Sequence, residues 1–560
     1  MRTTRRTLPV SNNARTTRRG RGWRGTLVLA AVLQAGCVQS PRPSLPVADV
    51  VLRGGLVYDG STAAPRQADV AVVGDRIAYV GADAASRFRV RRSLDVQGLV
   101  VAPGFIDPHT HPDRYIRSDD AGERLNAPWL FQGVTTIFIG SDGSGSPDIA
   151  RQRAWFAEHG VGTNLAMYVG FGAVRSRVLG QDAAAPDAGQ LQQMRALVAD
   201  AMCEGAFGLS TGLFYAPQSF ASTDEVVAVA REAALRGGLY DTHQRDESSY
   251  GIGLLDSVRE VLEIGRRADM PVHFSHIKAL GVDVQGEAAQ VIALVEQARA
   301  AGQEVTADQY PWLASGTHMG AALLPRWAVD GGRKALLQRL EDGDARARIR
   351  AEMVDNLRRR GGADSLLLTG AGWPWTGRTL ADMAGEWNID AVDAALRIIA
   401  EGGDRTGERR AARSADQIAS FNMKKEDVDL FMRQPWVITG SDGSNGHPRQ
   451  YATFPEKYAR YVRQDHVISV GDFIRRSSGL SADILGLEDT GYLREGYFAD
   501  IVAFDPERYA PAADYVHPRE LSRGVEHLLV NGRLAITDGR LTGNAAGRVR
   551  LHAPTPGTCP

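Results

Sequence analysis

Two histidines spaced two residues apart are the strongest chemical signal in the sequence. An apolar run from Leu99 to Ile106 is followed by His109 and His111. Alternate residues of a β-strand point to the same side, so both imidazoles would face the same space where the strand ends. Converging imidazole nitrogens are typical ligands of a divalent metal such as zinc. The spacing therefore predicts a metal site at the carboxyl end of a strand.

Further residues of ligand type follow other strand-like runs. His243 and His276 end two of these runs, and Asp442 follows a third. Four imidazoles and a carboxylate suit zinc and leave a coordination position open for water. His273 is a rival to His276, but His276 lies nearer the end of its run. Zinc lowers the pKa of bound water, and Asp442 is predicted to take the released proton as a general base and to return it later as a general acid.

The elements that would position these ligands alternate along the chain. Helical stretches separate most of the strand-like runs, as in successive βα units. Eight such runs predict an α/β protein with a (β/α)8, TIM-like barrel whose site lies at the carboxyl ends of the strands. The predicted strands are Leu99–Ile106, Val134–Gly140, Asn164–Phe171, Ala206–Ser210, Gly238–His243, Pro271–His276, Val305–Tyr310 and Trp436–Gly440. The clearest predicted helices are Gln190–Glu204, Asp224–Arg236, Leu254–Arg267 and Glu287–Ala301.

Short runs rich in β-branched residues at both chain ends predict a second, smaller domain. Residues 48–103 and 490–555 are expected to form one small β-sandwich, because neither segment buries much surface alone. The barrel then spans residues 104–489. The stretch between its seventh and eighth strands is far longer than an ordinary loop. Its charged and helical part, about residues 313–433, predicts a cap inserted over the barrel mouth.

Residues 1–36 are predicted to be an export signal. Eight arginines before residue 25 precede an apolar run from Leu27 to Ala35, which is too short to span a bilayer. Cys37 stands where a lipoprotein processing box places its acylated cysteine, although Gln34 departs from that box, and residues 37–47 would be a tether. The protein is therefore predicted to be exported, as a periplasmic or outer-membrane-anchored lipoprotein. Secretion without a lipid is the alternative.

Composition excludes several kinds of partner. The net charge of −1 argues against nucleic acid, and the expected partner is a small-molecule substrate. A membrane is expected to be contacted only through the N-terminal lipid. The three cysteines, Cys37, Cys203 and Cys559, form no C-x-x-C pair and are too few for a disulfide framework. Cys203, in a predicted helix, is expected to be a buried structural residue.

Seven motifs in order along the chain resemble the N-acyl-D-amino-acid deacylases (D-aminoacylases) of the amidohydrolase superfamily. The resemblance covers roughly residues 48–550. It implies hydrolysis of an N-acyl-D-amino acid to a carboxylic acid and a free D-amino acid, with one or two zinc ions. The motifs are Gly104–His111, Gly133–Gly145, Gly205–Leu213, Tyr240–Glu247, Ser275–Ala279, Asp308–Pro311, and Ser441–Gly443 with His447–Arg449.

The resemblance assigns roles to residues outside the histidine set. Tyr310 would polarise the amide oxygen, and Lys278 and Arg449 would bind the α-carboxylate of the substrate. Asp142 stands where D-aminoacylases usually have a cysteine, and would bridge the metal as a carboxylate. Family members with acidic substrates place an arginine after the Tyr-Pro turn. Because residues 312–324 contain no arginine or lysine, a neutral, apolar D-side chain is favoured.

Three other functions remain open from the sequence. A D-residue dipeptidase acting on cell-wall-type peptides is the nearest variant. A cyclic amide hydrolase would use the same chemistry, although Lys278 and Arg449 favour an open-chain carboxylate. A catalytically silent lipoprotein that binds such ligands belongs to a different class, and the intact Asp442 argues against it.

Overall fold

The computed structural model describes residues 45–401 and 415–560. The predicted export signal, Cys37 and most of the tether lie outside the described residues. Within the described ranges, no helix is both long enough and apolar enough to cross a lipid bilayer.

The described residues form 21 strands and 18 α-helices. The strands are β1 (Val47–Val57), β2 (Arg66–Val73), β3 (Arg76–Gly81), β4 (Arg89–Asp95), β5 (Val100–Pro103), β6 (Phe105–Asp107), β7 (Val134–Ile139), β8 (Asn164–Met167), β9 (Val169–Gly170), β10 (Gly208–Gly212), β11 (Leu239–His243), β12 (Val272–Phe274), β13 (Val305–Gln309), β14 (Ala314–His318), β15 (Leu366–Leu368), β16 (Gln417–Phe421), β17 (Val437–Thr439), β18 (Ile501–Phe504), β19 (Val525–Val530), β20 (Arg533–Thr537) and β21 (Arg540–Leu541). The helices are α1 (Asp113–Ile116), α2 (Ala121–Arg124), α3 (Ala127–Leu130), α4 (Ile149–His159), α5 (Phe171–Leu179), α6 (Ala188–Cys203), α7 (Thr223–Ala234), α8 (Leu254–Ala268), α9 (Ala288–Ala300), α10 (Met319–Leu323), α11 (Gly332–Glu341), α12 (Gly343–Arg359), α13 (Leu380–Trp387), α14 (Ala391–Glu401), α15 (Lys425–Arg433), α16 (Arg449–Glu456), α17 (Val470–Ser477) and α18 (Gly479–Leu485).

Parallel strands close into the predicted barrel. One sheet has the order β6-β7-β8, and the other has the order β9-β10-β11-β12-β13-β17. β8 and β9 are one run interrupted at Tyr168, so eight strands surround the barrel. A bridge between Thr110 and Gly443 joins the first strand to the last. All six residues of β7 are buried, as expected for a strand covered on both faces. The predicted α/β barrel is confirmed.

The helices around the barrel follow the apolar pattern of the sequence. The four clearest predicted helices correspond to α6, α7, α8 and α9, with every boundary within two residues. In α8, the buried residues Leu254, Val258 and Val261 recur at spacings of four and three, which places one stripe of the helix against the barrel.

The predicted first strand is divided between two domains. β5 belongs to the sheet of the smaller domain, whereas β6 opens the barrel. Gly104 lies between them, and a Cβ at this position would approach the Thr135 side chain to 2.3 Å. Only glycine therefore fits at this crossing. The single strand predicted over Leu99–Ile106 is wrong in this respect, because an apolar run does not reveal which sheet each half joins.

Both chain ends contribute to one nine-stranded sheet. Its order is β21-β20-β19-β18-β5-β1-β2-β3, with β4 paired to β1. The antiparallel pairing of β5 with β18 joins the two ends. Leu52, Val70, Ile501 and Leu529 pack in a shared apolar cluster, which explains why neither end forms a domain alone.

The C-terminal tail leaves this sheet after β21, although residues up to 555 were expected in it. The backbone N–H groups of Arg550 and His552 donate to Leu165 and Gly205, at the amino ends of barrel strands. A disulfide joins Cys559 to Cys203 at the end of α6. The expectation for Cys203 is therefore corrected: it is half-buried and disulfide-bonded. The partners are 356 positions apart, so their spacing gave no signal.

We expect Cys559→Ser to lower the free energy of unfolding by about 2–4 kcal/mol, because the unfolded chain gains the freedom of a very large loop. The measurement is thermal unfolding of wild type and variant with and without a reductant. Reductant should lower the melting temperature of the wild type only. Equal melting temperatures of wild type and variant without reductant would contradict the prediction.

The inserted cap has its own core. β14, β16 and β15 form a small antiparallel sheet, and Met319, Ile349, Leu366 and Ile398 belong to an apolar cluster separate from that of the barrel. The cap was expected to extend to residue 433. Helix α15, however, packs on α9 of the barrel, and its Phe431 joins the main core.

Candidate metal centre and active site

All the predicted metal ligands lie at one end of the barrel, at or just after the carboxyl ends of their strands. The strands that carry them are β6, β7, β11, β12 and β17. Most of the ligands are buried, which is rare for charged groups without a partner. In chain order they are His109, His111, Asp142, His243, His276 and Asp442.

The Asp142 carboxylate lies at the centre of four histidines. Its oxygens are 3.4 Å from His109 Nε2, 3.5 Å from His111 Nε2, 3.7 Å from His243 Nδ1 and 3.6 Å from His276 Nε2. Ligand atoms held about 2.0–2.2 Å from a tetrahedral zinc lie about 3.3–3.6 Å apart. Asp142 would therefore be able to hold a metal together with these four histidines.

Unpartnered polar atoms also fit a metal. Both ring nitrogens of His109 and Oδ1 of Asp142 are buried without a hydrogen-bond partner. Burial of such atoms is costly unless they are paired or coordinate a metal. The donor set of imidazoles and carboxylates suits zinc.

Asp442 lies between the histidines and a guanidinium. Its Oδ1 is 3.4 Å from His111 Nε2 and 3.8 Å from His109 Nε2. Its Oδ2 is 2.7 Å from Arg449 Nη1, although not along a hydrogen-bond direction. Burial alone would raise the pKa of Asp442, but Arg449 and the histidines hold that pKa well below its usual value. Asp442 is therefore a carboxylate at neutral pH and can accept a proton.

Three of the ligands sit in left-handed backbone. The φ angles of Asp142, His276 and Asp442 are 55°, 38° and 47°. This conformation is unfavourable for residues other than glycine and is concentrated at functional sites. The backbone N–H of His276 donates to Asp308 Oδ1 at 3.0 Å, which helps to hold the turn.

His273, the rival ligand, is committed elsewhere. Its Nδ1 lies 2.8 Å from Thr306 Oγ1, and its Nε2 lies 3.2 Å from Asp308 Oδ2. With both nitrogens engaged, His273 supports the turn that carries His276.

Glu247 was assigned no catalytic role from the sequence, but it lies beside two of the histidines. Its Oε1 is 3.2 Å from His276 Nδ1, and its Oε2 is 3.7 Å from His243 Nε2. Both are the ring nitrogens that face away from Asp142. A carboxylate close to these nitrogens favours their protonated form and so leaves the opposite lone pairs free for a metal, while His276 Nδ1 also lies 2.6 Å from Lys278 Nζ. In the sequence, the only indication of this role was that Glu247 lies four residues after His243.

We expect Glu247→Gln to weaken zinc affinity about 10- to 100-fold, because an amide holds the two imidazoles less firmly in the required tautomer. Competition with a chromophoric chelator measures this affinity. Glu263→Gln, a change on the surface of α8, is the control and should leave it unchanged. Unaltered zinc affinity in the Glu247 variant would contradict the assigned role.

Lys278 and Arg449 both reach the site, but each already has a carboxylate partner. Lys278 Nζ is 2.6 Å from Glu247 Oε1, while Arg449 pairs with Asp442. The two cations lie 5.6 Å and 5.1 Å from the centre of the Tyr310 ring. Their contact with a substrate α-carboxylate stays a prediction.

The Tyr310 hydroxyl is buried and has no hydrogen-bond partner. It lines a cavity together with His243, Lys278 and Asp442. Burial raises the pKa of Tyr310 well above its usual value, so the hydroxyl stays protonated. Tyr310 is therefore a free donor directed at the space beside the metal ligands.

A (β/α)8 barrel with four histidines and two carboxylates at its mouth defines a metal-dependent amidohydrolase. The chain belongs to the amidohydrolase family, whose family model matches residues 92–536. It is 32% identical over 538 residues to the D-aminoacylase of Alcaligenes xylosoxydans xylosoxydans, an alignment that covers 90% of this chain and 97% of that protein.

Solved structures agree with this assignment. A D-aminoacylase, studied for its binuclear metal centre, superposes with a TM-score of 0.73 at 31% identity and covers 90% of this chain and 100% of that one. The N-acyl-D-glutamate deacylase of Bordetella bronchiseptica, complexed with zinc and a phosphonate mimic of the tetrahedral intermediate, gives 0.74 at 28% identity, with 90% and 99% coverage.

Proposed function

We propose that the protein is a zinc-dependent hydrolase that cleaves the amide bond of N-acyl-D-amino acids to a carboxylate and a free D-amino acid. The observation that carries the proposal is the Asp142-centred histidine cluster, which opens onto a cavity where Asp442 and Tyr310 face the same space. The similarity to D-aminoacylase over nearly its whole length supports the choice of substrate class.

The residues around the cavity have distinct roles in this reaction. Zinc, when bound, supplies an activated water at neutral pH and polarises a carbonyl oxygen. Asp442 accepts the proton of the attacking water and returns it to the leaving amine. Tyr310 donates a hydrogen bond to the amide oxygen as negative charge develops there. Lys278 and Arg449 place positive charge where the α-carboxylate would lie.

The test is hydrolysis of a panel of substrates by the zinc-loaded protein, with zinc content measured on the same sample. The panel contains N-acetyl-D-amino acids, their L-enantiomers, D-containing dipeptides and cyclic amides. D-selective hydrolysis of the N-acetyl compounds with at least one zinc per chain supports the proposal. Turnover of only the dipeptides or only the cyclic amides would replace it with one of the alternatives, and zinc without turnover of any compound would refute it.

We also propose that the protein works outside the cytoplasm, anchored through a lipid on Cys37. The Cys203–Cys559 disulfide supports export, because disulfides persist in oxidising compartments. Cell fractionation of the full chain and of Cys37→Ser tests both parts. The wild type should be found in the membrane fraction and the variant in the soluble periplasm. Cytoplasmic recovery of both would overturn the proposal.

A further inference from the structure

The cavity has a cationic wall that comes from the cap. Arg360, which is only 2% exposed, directly follows α12 and lines the cavity with Tyr250 and Ser315. Its Nε donates to the Tyr250 hydroxyl, and its Nη1 lies 3.4 Å from Ser315 Oγ. Both partners are neutral, so they leave the charge of Arg360 uncompensated.

A second guanidinium shares the same aromatic neighbours. Arg326 Cζ lies 4.0 Å from the centre of the Phe214 ring and 6.0 Å from that of Tyr250. The corresponding distances for Arg360 are 6.0 Å and 5.5 Å. Nη2 of Arg326 is buried and has no hydrogen-bond partner.

Neither arginine has an acidic partner in residues 45–401 and 415–560, where no carboxylate oxygen lies within 4.0 Å of either guanidinium. Two other cations near the metal ligands differ in this respect, since Lys278, which lines the cavity, pairs with Glu247, and Arg449 pairs with Asp442. The uncompensated positive charge of the cavity is therefore concentrated at Arg360.

This arrangement is costly without an anion. A buried charge is unfavourable unless it is paired, and a second cation nearby adds repulsion. Burial lowers the pKa of Arg326 to about 10, and Arg360 contributes to the lowering. An anion bound against Arg360 would relieve both effects.

We infer that Arg360, reinforced by Arg326, binds a second carboxylate of the substrate, on the side chain of the D-residue, so that acidic N-acyl-D-amino acids are preferred. This inference rests on the proposed function and names its substrate class. Lys278 and Arg449, which are proposed to bind the α-carboxylate, flank Tyr310, whereas Arg360 lies at the Tyr250 side of the cavity. A guanidinium is suited to bidentate binding of a carboxylate.

The inference departs from the neutral side chain favoured by the sequence. That expectation depended on residues 312–324, which carry no arginine or lysine. Arg326 and Arg360 lie beyond this window, and only the folding of the cap brings Arg360 to the cavity wall.

The test compares kcat/KM for N-acetyl-D-glutamate and N-acetyl-D-glutamine, which differ in charge but hardly in size. The wild type should prefer the glutamate, and Arg360→Gln should lower the ratio of the two values about 10- to 100-fold. Arg360→Lys keeps the charge but loses the planar fork, and should retain part of the preference. Arg358→Gln is the matched control on α12, because Arg358 is exposed and paired with Asp283. It should leave the ratio unchanged.

Several results would overturn the inference. The inference is wrong if the wild type does not prefer N-acetyl-D-glutamate. It is also wrong if Arg360→Gln lowers kcat/KM equally for both substrates, because that result indicates a role towards the α-carboxylate or in folding. The same comparison is made with N-succinyl-D-alanine and N-butyryl-D-alanine, of which only the first has a carboxylate on its acyl group. A loss confined to the succinyl compound would place the carboxylate on the acyl group instead.

Failure of the proposed function gives a different pattern. In that case the zinc-loaded wild type hydrolyses none of these compounds. Calorimetric binding of N-acetyl-D-glutamate and N-acetyl-D-glutamine then decides the inference separately. Tighter binding of the glutamate that is lost in Arg360→Gln supports it, and equal binding of the two ligands refutes it.

Discussion

Asp442→Asn is expected to lower kcat about 10²- to 10⁴-fold, the range for loss of a general acid–base group. The amide cannot accept the proton of the attacking water or return one to the amine. Because Asp142 contacts all four histidines independently of Asp442, at least one zinc per chain should remain bound. The measurement is steady-state hydrolysis of the preferred N-acetyl-D-amino acid, with zinc content determined on the same sample.

The control for this variant is Asp256→Asn, which removes an exposed carboxylate from α8. It should change neither turnover nor zinc content. The two measurements separate an enzyme from a binding protein, since a binding protein would tolerate Asp442→Asn with little change in ligand affinity. Full loss of zinc together with activity would indicate that Asp442 acts mainly as a ligand, and retained turnover would exclude it as the base.

The barrel could be predicted because its sequence pattern is local. Each strand is a short apolar run, and each helix, such as α8, repeats buried residues at spacings of three and four. His109, His111, His243 and His276 follow such runs directly. Because parallel barrel strands end at one mouth, the order of elements alone brings these ligands together.

The remaining features depend on contacts between distant parts of the chain. Gly104 divides an apolar run because Thr135, on a neighbouring strand, leaves no room for a Cβ. Cys559 meets Cys203 only after the tail has passed the amino ends of the barrel strands. Arg360 reaches the cavity through the packing of the cap, which no local pattern encodes.

The charges of the site illustrate the same limit. Sequence reasoning identified Lys278 and Arg449 as cations but could not show that Glu247 and Asp442 balance them. Whether a cation is free to bind a substrate depends on its neighbours in space. The unpaired Arg360 is therefore informative only once its surroundings are known.

Tyr310→Phe is expected to reduce kcat about 10²- to 10³-fold, as for the loss of one donor to a developing oxyanion. The variant should be as stable as the wild type or slightly more stable, because the hydroxyl that is removed has no hydrogen-bond partner in the protein. Tyr168→Phe is a matched control, since the Tyr168 hydroxyl is also buried and unpartnered but does not line the cavity. The measurements are kcat and the melting temperature of both variants and of the wild type. Equal activity of the two variants would show that the Tyr310 hydroxyl is not the donor, whereas a selective loss with unchanged stability assigns it to the amide oxygen.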